Sequence, residues 1–304
     1  MPADSTGKVS LDHIYTQPDP RAYFGTLREL GYCIPQGAKP HFAALISEYR
    51  EVRKVPAPTV LDIGCSYGIN AALLKCDATM DELYERYAGG DAATLPRAAL
   101  LARDRELVRS RGRSGRARFI GLDTSDRALS YALAAGFLDG AVNADLERNE
   151  PTGRQRAQLA GADLVVSTGC LGYVTERTIS RVVAANGDRR PWMAHFVLRM
   201  FPFDPIAACL ADAGYETVRS EGLFKQRRFA TPQEQSQVLD TLSGIGVDPR
   251  GLETEGWFYA GLHLSRPRRK AARTIVDLAS ARPAPGLRPA GARAPLHRPD
   301  RGLN

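Results

Sequence analysis

Short runs of consecutive apolar residues alternate along the chain with longer stretches in which apolar residues recur every three or four positions. Thr-Val-Leu-Asp-Ile at 59–63 and Asp-Leu-Val-Val-Ser at 163–167 are runs too short for helices, and they predict strands buried on both faces. Residues 118–122, 140–143, 192–199, 216–223 and 258–264 predict five further strands. Helical spacing appears at 69–74, 125–135, 176–185, 205–213 and 232–242, with Gly136 and Gly214 as stop signals. Repeated strand–helix units predict an α/β domain with a mainly parallel seven-stranded sheet covered by helices.

Two helical segments lie outside this alternation. Residues 1–58 read as a lead-in, with helices at 21–30 and 41–53 separated by a turn-like stretch at 31–40. Residues 76–112 read as an insertion, with helices at 80–87 and 96–109 and Pro96 near the first turn of the second. The inserted helices are candidates for a lid or a homodimer contact. The domain proper then spans 59–265, and 266–304 forms a tail.

Charge changes the picture only at the tail. The whole chain carries +7, yet residues 266–304 hold ten Lys/Arg against two acidic residues, which leaves the body at −1. A tail rich in Arg, Pro, Ala and Gly buries too little apolar surface to fold alone and reads as disordered. A near-neutral body argues against nucleic acid as a partner. The five cysteines include no Cys-x-x-Cys pair, and no two of the five histidines share a ligand spacing, so neither a disulfide framework nor a metal site is expected. No apolar run reaches the ~18 residues of a membrane span, and the first ten residues lack an apolar signal core; a cytoplasmic protein is expected.

The densest chemical signal is Val60-Leu61-Asp62-Ile63-Gly64-Cys65-Ser66-Tyr67-Gly68. A carboxylate ends the strand, Gly64 permits a tight turn and a close ligand approach, and Gly68 lets the next helix pack near the strand. An aspartate closes the second strand at Asp123, where it could accept from two ribose hydroxyls or cap the following helix. It lies 61 residues beyond Asp62, where about 20 is usual, and the insertion accounts for the excess. Asn143-Ala144-Asp145-Leu146-Glu147 follows the third strand, and Ser167-Thr168-Gly169-Cys170 follows the fourth.

In these four places the sequence resembles the class I S-adenosylmethionine-dependent methyltransferase family, over about residues 59–264. Ser66 stands where that family often has its middle glycine. The Asp19-Pro20-Arg21-Ala22-Tyr23 stretch of the lead-in is similar to one found in a group of bacterial members. The resemblance implies the Rossmann-like methyltransferase fold, with an antiparallel C-terminal strand, and S-adenosyl-L-methionine as cofactor. Asp62, Gly64, Cys65, Ser66 and Gly68 would border the methionyl part. Asp123 and Thr124 would face the ribose, Asp145 and the Leu146 N–H the adenine, and Ser167, Thr168 and Gly169 the methyl end.

The acceptor follows mostly from absences. The Asn/Asp-Pro-Pro-aromatic motif of amino-DNA methyltransferases is missing after the fourth strand, where Ser-Thr-Gly-Cys stands instead. A small molecule, methylated on O, N or C, is the expected acceptor, with specialised metabolism as a setting. The alternatives are an RNA methyltransferase that uses the basic tail and a non-catalytic cofactor-binding protein of the same fold. A nicotinamide-dependent oxidoreductase would need Gly-x-Gly-x-x-Gly directly after its strand. Candidate general bases are His195, Tyr173, His41 and Glu176. His195 sits in a strand pattern and reads first as core; Tyr15, Tyr23 and Phe24 likewise read as core, with a cofactor cover as the alternative.

Overall fold

The computed structural model describes residues 9–112 and 116–268. The lead-in forms α1 (Asp12–Tyr15), α2 (Arg21–Glu29) and α3 (Ile34–Arg53). The first strand, β1 (Thr59–Ile63), is followed by α4 (Ile69–Lys75) and the inserted α5 (Met80–Ala88) and α6 (Arg97–Arg111). Then come β2 (Arg118–Asp123), α7 (Asp126–Ala135), β3 (Gly140–Asn143), α8 (Gly153–Leu159), β4 (Leu164–Thr168), α9 (Glu176–Asn186) and β5 (Trp192–Leu198). The chain closes with α10 (Asp204–Asp212), β6 (Tyr215–Arg228), α11 (Pro232–Gly244) and β7 (Trp257–Pro267).

The seven strands lie in the order β3-β2-β1-β4-β5-β7-β6. Pairing is parallel from β3 through β5, and β7 runs antiparallel to both its neighbours. A single reversed strand inserted before the edge strand defines the Rossmann-like methyltransferase fold; dinucleotide-binding sheets use the order 3-2-1-4-5-6. Strand alternation splits β1 between two cores. Val60 packs with Phe42, Leu164 and Phe196 on one face, while Leu61 and Ile63 pack with Val165, Ile179 and Val197 on the other. Among the described residues no helix is long and apolar enough to cross a membrane.

A third core joins the lead-in to the insertion. Ile14, Tyr23, Phe24 and Leu27 pack with Leu83, Tyr84, Tyr87 and Leu100. Asp104 of α6, fully buried, accepts hydrogen bonds from Tyr87 of α5 and Tyr131 of α7, each 2.7 Å long, and so fixes the insertion to the domain. The two helical additions therefore form one body.

Several boundaries differ from the sequence expectation. Of the turn expected at 31–40, residues 34–40 are the first two turns of α3, with Pro35 in its first turn and Pro40 inside. Burial of Ile34 and Ala38 holds these turns against the core despite the hydrogen bond that Pro40 removes. A helix at Gly153–Leu159 was not expected, although the Thr152–Gln155 capping box announces it. The strand β6 runs on to Arg228 through two register shifts. Arg266, assigned to the tail, lies in β7, pairs with Glu48 at 2.6 Å and covers the Trp192 ring at 4.0 Å. The basic segment from 269 onward lies outside the described residues.

Candidate functional site

The carboxyl ends of β1, β2, β3 and β4 converge on one cleft. At the end of β1 the chain turns back at Gly64, Ser66 and Gly68, all at positive φ (67°, 50° and 76°). Ser66 holds a backbone conformation that costs an L-residue ~1–2 kcal/mol. Its N–H donates to Asp123 Oδ2 at 2.8 Å, which ties this loop to the end of β2. A Cβ on Gly64 would lie 2.7 Å from Cys170 Cβ, so glycine allows the loops after β1 and β4 to touch. Gly64 keeps an exposed surface although Asp62 beneath it is fully buried.

Asp62 is the most constrained charge in the cleft. Its Oδ1 accepts from Asn70 Nδ2 at 3.0 Å, and the same Nδ2 reaches Thr168 Oγ1 at 3.1 Å. Its Oδ2 is buried with no partner among the described residues. Burial, and secondarily the Asp123 charge, push the Asp62 carboxyl up to about 7, against the lowering effect of Asn70. A cationic donor reaching Oδ2 would restore the carboxylate. Asn70 was not singled out in the sequence; its only signal is a polar residue on the inward face of α4.

Asp123 is also raised by burial, although the N–H groups of Ser125 and Ser66 hold part of its charge. Ser125, not Asp123, caps α7, its side chain accepting from Ala128. The Asp123 carboxylate therefore retains lone pairs toward the cleft. Beyond it, Thr124, Asn143, Asp145 and Leu146 line an open cleft of about 540 Å³. Asp145 Oδ1 accepts from the N–H groups of Glu147 and Arg148, each at 3.1 Å, and holds this loop in shape.

The loop after β4 divides. Thr168 faces Asp62 through Asn70. Ser167 points to the opposite face, where its Oγ meets His195 Nδ1 at 2.8 Å, both residues fully buried. His195 is thus a core histidine, and Ser167 lies between it and the Cys170 thiol. Cys65 buries its thiol against Gly121 and brings only backbone to the turn. Gly169 is crossed by the Gln226 side chain, whose Oε1 is buried without a partner among the described residues. Cys170 donates to Ile63 O at 3.3 Å, and burial pushes its thiol up to about 12. Of the other proposed bases, His41 lies edge-on against Phe196 and Phe224, Glu176 opens α9, and Tyr173 is 43% exposed against Phe201.

His195 and its cross-strand neighbour His263 make a pH-dependent element. Burial lowers His195 to about 3, with His263 adding to the effect, and burial lowers His263 to about 4. Both folded values lie below the ordinary one, so the unfolded chain binds more protons in acid. Their contribution is complete above about pH 6.5 and is lost as pH falls. Stability to urea is expected to drop by roughly 2 kcal/mol between pH 7 and 5 for His195 alone. A wild-type profile no steeper than that of His195→Asn would contradict this.

No family model matches the chain, and no curated protein matches it. Solved structures do. The plantazolicin methyltransferase bound to SAH shares 12% identity over 84% of this chain and 93% of its own, with a TM-score of 0.42. The magnesium protoporphyrin IX methyltransferase of Synechocystis PCC 6803 with bound SAM shares 14% over 76% of this chain and 80% of its own, at 0.37. A TehB-like SAM-dependent methyltransferase from Corynebacterium glutamicum shares 13% over 72% and 85%, at 0.36.

Proposed function

We propose that the protein is an S-adenosylmethionine-dependent methyltransferase acting on a small-molecule acceptor. The observation that carries this reading is the buried, half-satisfied Asp62 joined through one loop to Asp123 at the carboxyl ends of adjacent strands. S-adenosylmethionine supplies a methyl group already activated on a sulfonium. Its ammonium would satisfy Asp62 Oδ2, its ribose hydroxyls would donate to Asp123, and its adenine would lie in the cleft beside Asp145 and Leu146. Thr168 and Gly169 would border the methyl end.

The chain's own task is then to orient the acceptor and exclude water. Tyr15 and Cys170 are both held near 12 by burial, so at neutral pH they are protonated and shape the cleft rather than take a proton. The half-buried Tyr15 and Tyr32 lie close to Asp123 and Thr168, which supports a small acceptor over a macromolecule. Calorimetric titration with S-adenosylmethionine is expected to give a Kd in the micromolar range, ~8 kcal/mol of binding free energy. A natively melting protein that shows no heat of binding up to millimolar donor would sink the reading.

A further inference from the structure

Residues 9–17 cross the cleft as a strap gripped mainly through its backbone. On one side the Tyr67 hydroxyl, in the loop after β1, lies 3.1 Å from Ile14 O and 2.9 Å from Gln17 O. Ser125 Oγ, after β2, donates to Tyr15 O at 2.6 Å, and Arg127 Nη1 to Thr16 O at 3.2 Å. At the far end the Val9 N–H donates to Glu234 Oε1 at 2.8 Å. Glu234, in the first turn of α11, is buried and held by both terminal nitrogens of Arg227 and by the Ala230 N–H. Between these anchors the Tyr15 side chain sits within electrostatic reach of Asp123, Cys170 and Arg227. The cleft beside Thr124 and Asp145 stays open, while Asp123 is half-buried.

Resting on the methyl-donor reading above, we propose that Glu234 is a positioning residue for donor binding. It holds Val9 so that the strap closes over the donor, and the strap must release before the donor can exchange. A ligand that spans Asp145, Asp123 and Asp62 lies beneath Tyr15 and cannot leave sideways through the open end alone. The anchor is a charge-assisted hydrogen bond to a backbone donor, so it acts whatever side chain residue 9 carries.

Replacing Glu234 would leave Arg227 buried and unpaired, so the test removes the donor instead. Val9→Pro deletes the N–H and leaves the Arg227–Glu234 pair intact. Dissociation of S-adenosylhomocysteine, followed by surface plasmon resonance, is expected to be about tenfold faster in this variant, the loss of one such hydrogen bond. Amide exchange across residues 10–17 should rise with it, at an unchanged melting temperature. A lowered melting temperature with dissociation within twofold of wild type would mean a merely structural contact and would overturn the proposal. If Val9→Pro does not fold, Arg127→Ala releases Thr16 from the other anchor; about threefold faster dissociation supports the strap and none overturns it. Failure of S-adenosylhomocysteine to bind folded wild type would sink the methyl-donor reading itself, whereas binding with unaltered dissociation in the variants sinks only the latch.

Discussion

Asp123→Ala is expected to weaken S-adenosylmethionine binding by about two to four orders of magnitude while the protein still folds. The carboxylate would lose two ribose hydrogen bonds to a charged acceptor, each worth about 1.5–3 kcal/mol. It would also release the Ser66 N–H that holds the positive-φ turn over β1. The folded state should survive because the cap of α7 belongs to Ser125. Calorimetry on Asp123→Ala and Asp123→Asn, with thermal melts alongside, separates these effects. Asparagine keeps one acceptor and should lose less. Affinity within threefold of wild type in the alanine variant would remove Asp123 from the donor site.

Arg227→Met is expected to cost 3–5 kcal/mol of stability, the largest loss foreseen for a single polar residue. Both side chains of the Arg227–Glu234 pair are nearly inaccessible, at 4% and 0% exposure, and bonded at 2.9 and 2.7 Å. The shorter, uncharged methionine would keep the aliphatic stem but lose the guanidinium that now lies 4.6 Å over the Phe258 ring. Glu234 would then be buried with only its two backbone donors. In the wild type, burial works to raise the Glu234 carboxyl, but Arg227 together with the Ala230 and Val9 N–H groups outweighs it and the folded value lies below the ordinary one. The pair's stability is therefore present above about pH 4.3 and is lost as pH falls through the folded value. In Arg227→Met the carboxyl rises instead, so its penalty is largest at neutral pH and is relieved as the group protonates, and the gap to wild type should narrow as pH falls. An unfolding free energy from urea titration that falls by less than about 1 kcal/mol would contradict the burial described for the pair.

Much of the domain could be read from order and pattern. The strands β1 and β4 are continuous apolar runs because they are buried on both faces, and the turn at Gly64 to Gly68 is local chemistry written in adjacent residues. Alternation along β4 alone assigns Ser167 and Thr168 to opposite faces, so their split was legible in principle. The capping box at Thr152 was equally visible. Asn70, Tyr32 and Gln226 were not, since one polar or aromatic residue in an element carries no mark of its partner.

The sequence by itself determined the alternating α/β architecture, the helical additions and the loop chemistry at Asp62, Asp123 and Asp145, because short-range periodicity and turn geometry encode these. Only the tertiary structure decided that the lead-in and the insertion share one core and that Asp62 reaches Thr168 through Asn70. It alone decided that Val9 is held by Glu234, 225 residues away. Such contacts join distant segments of the chain, and their energy arises only when folding brings the partners together and removes both from water.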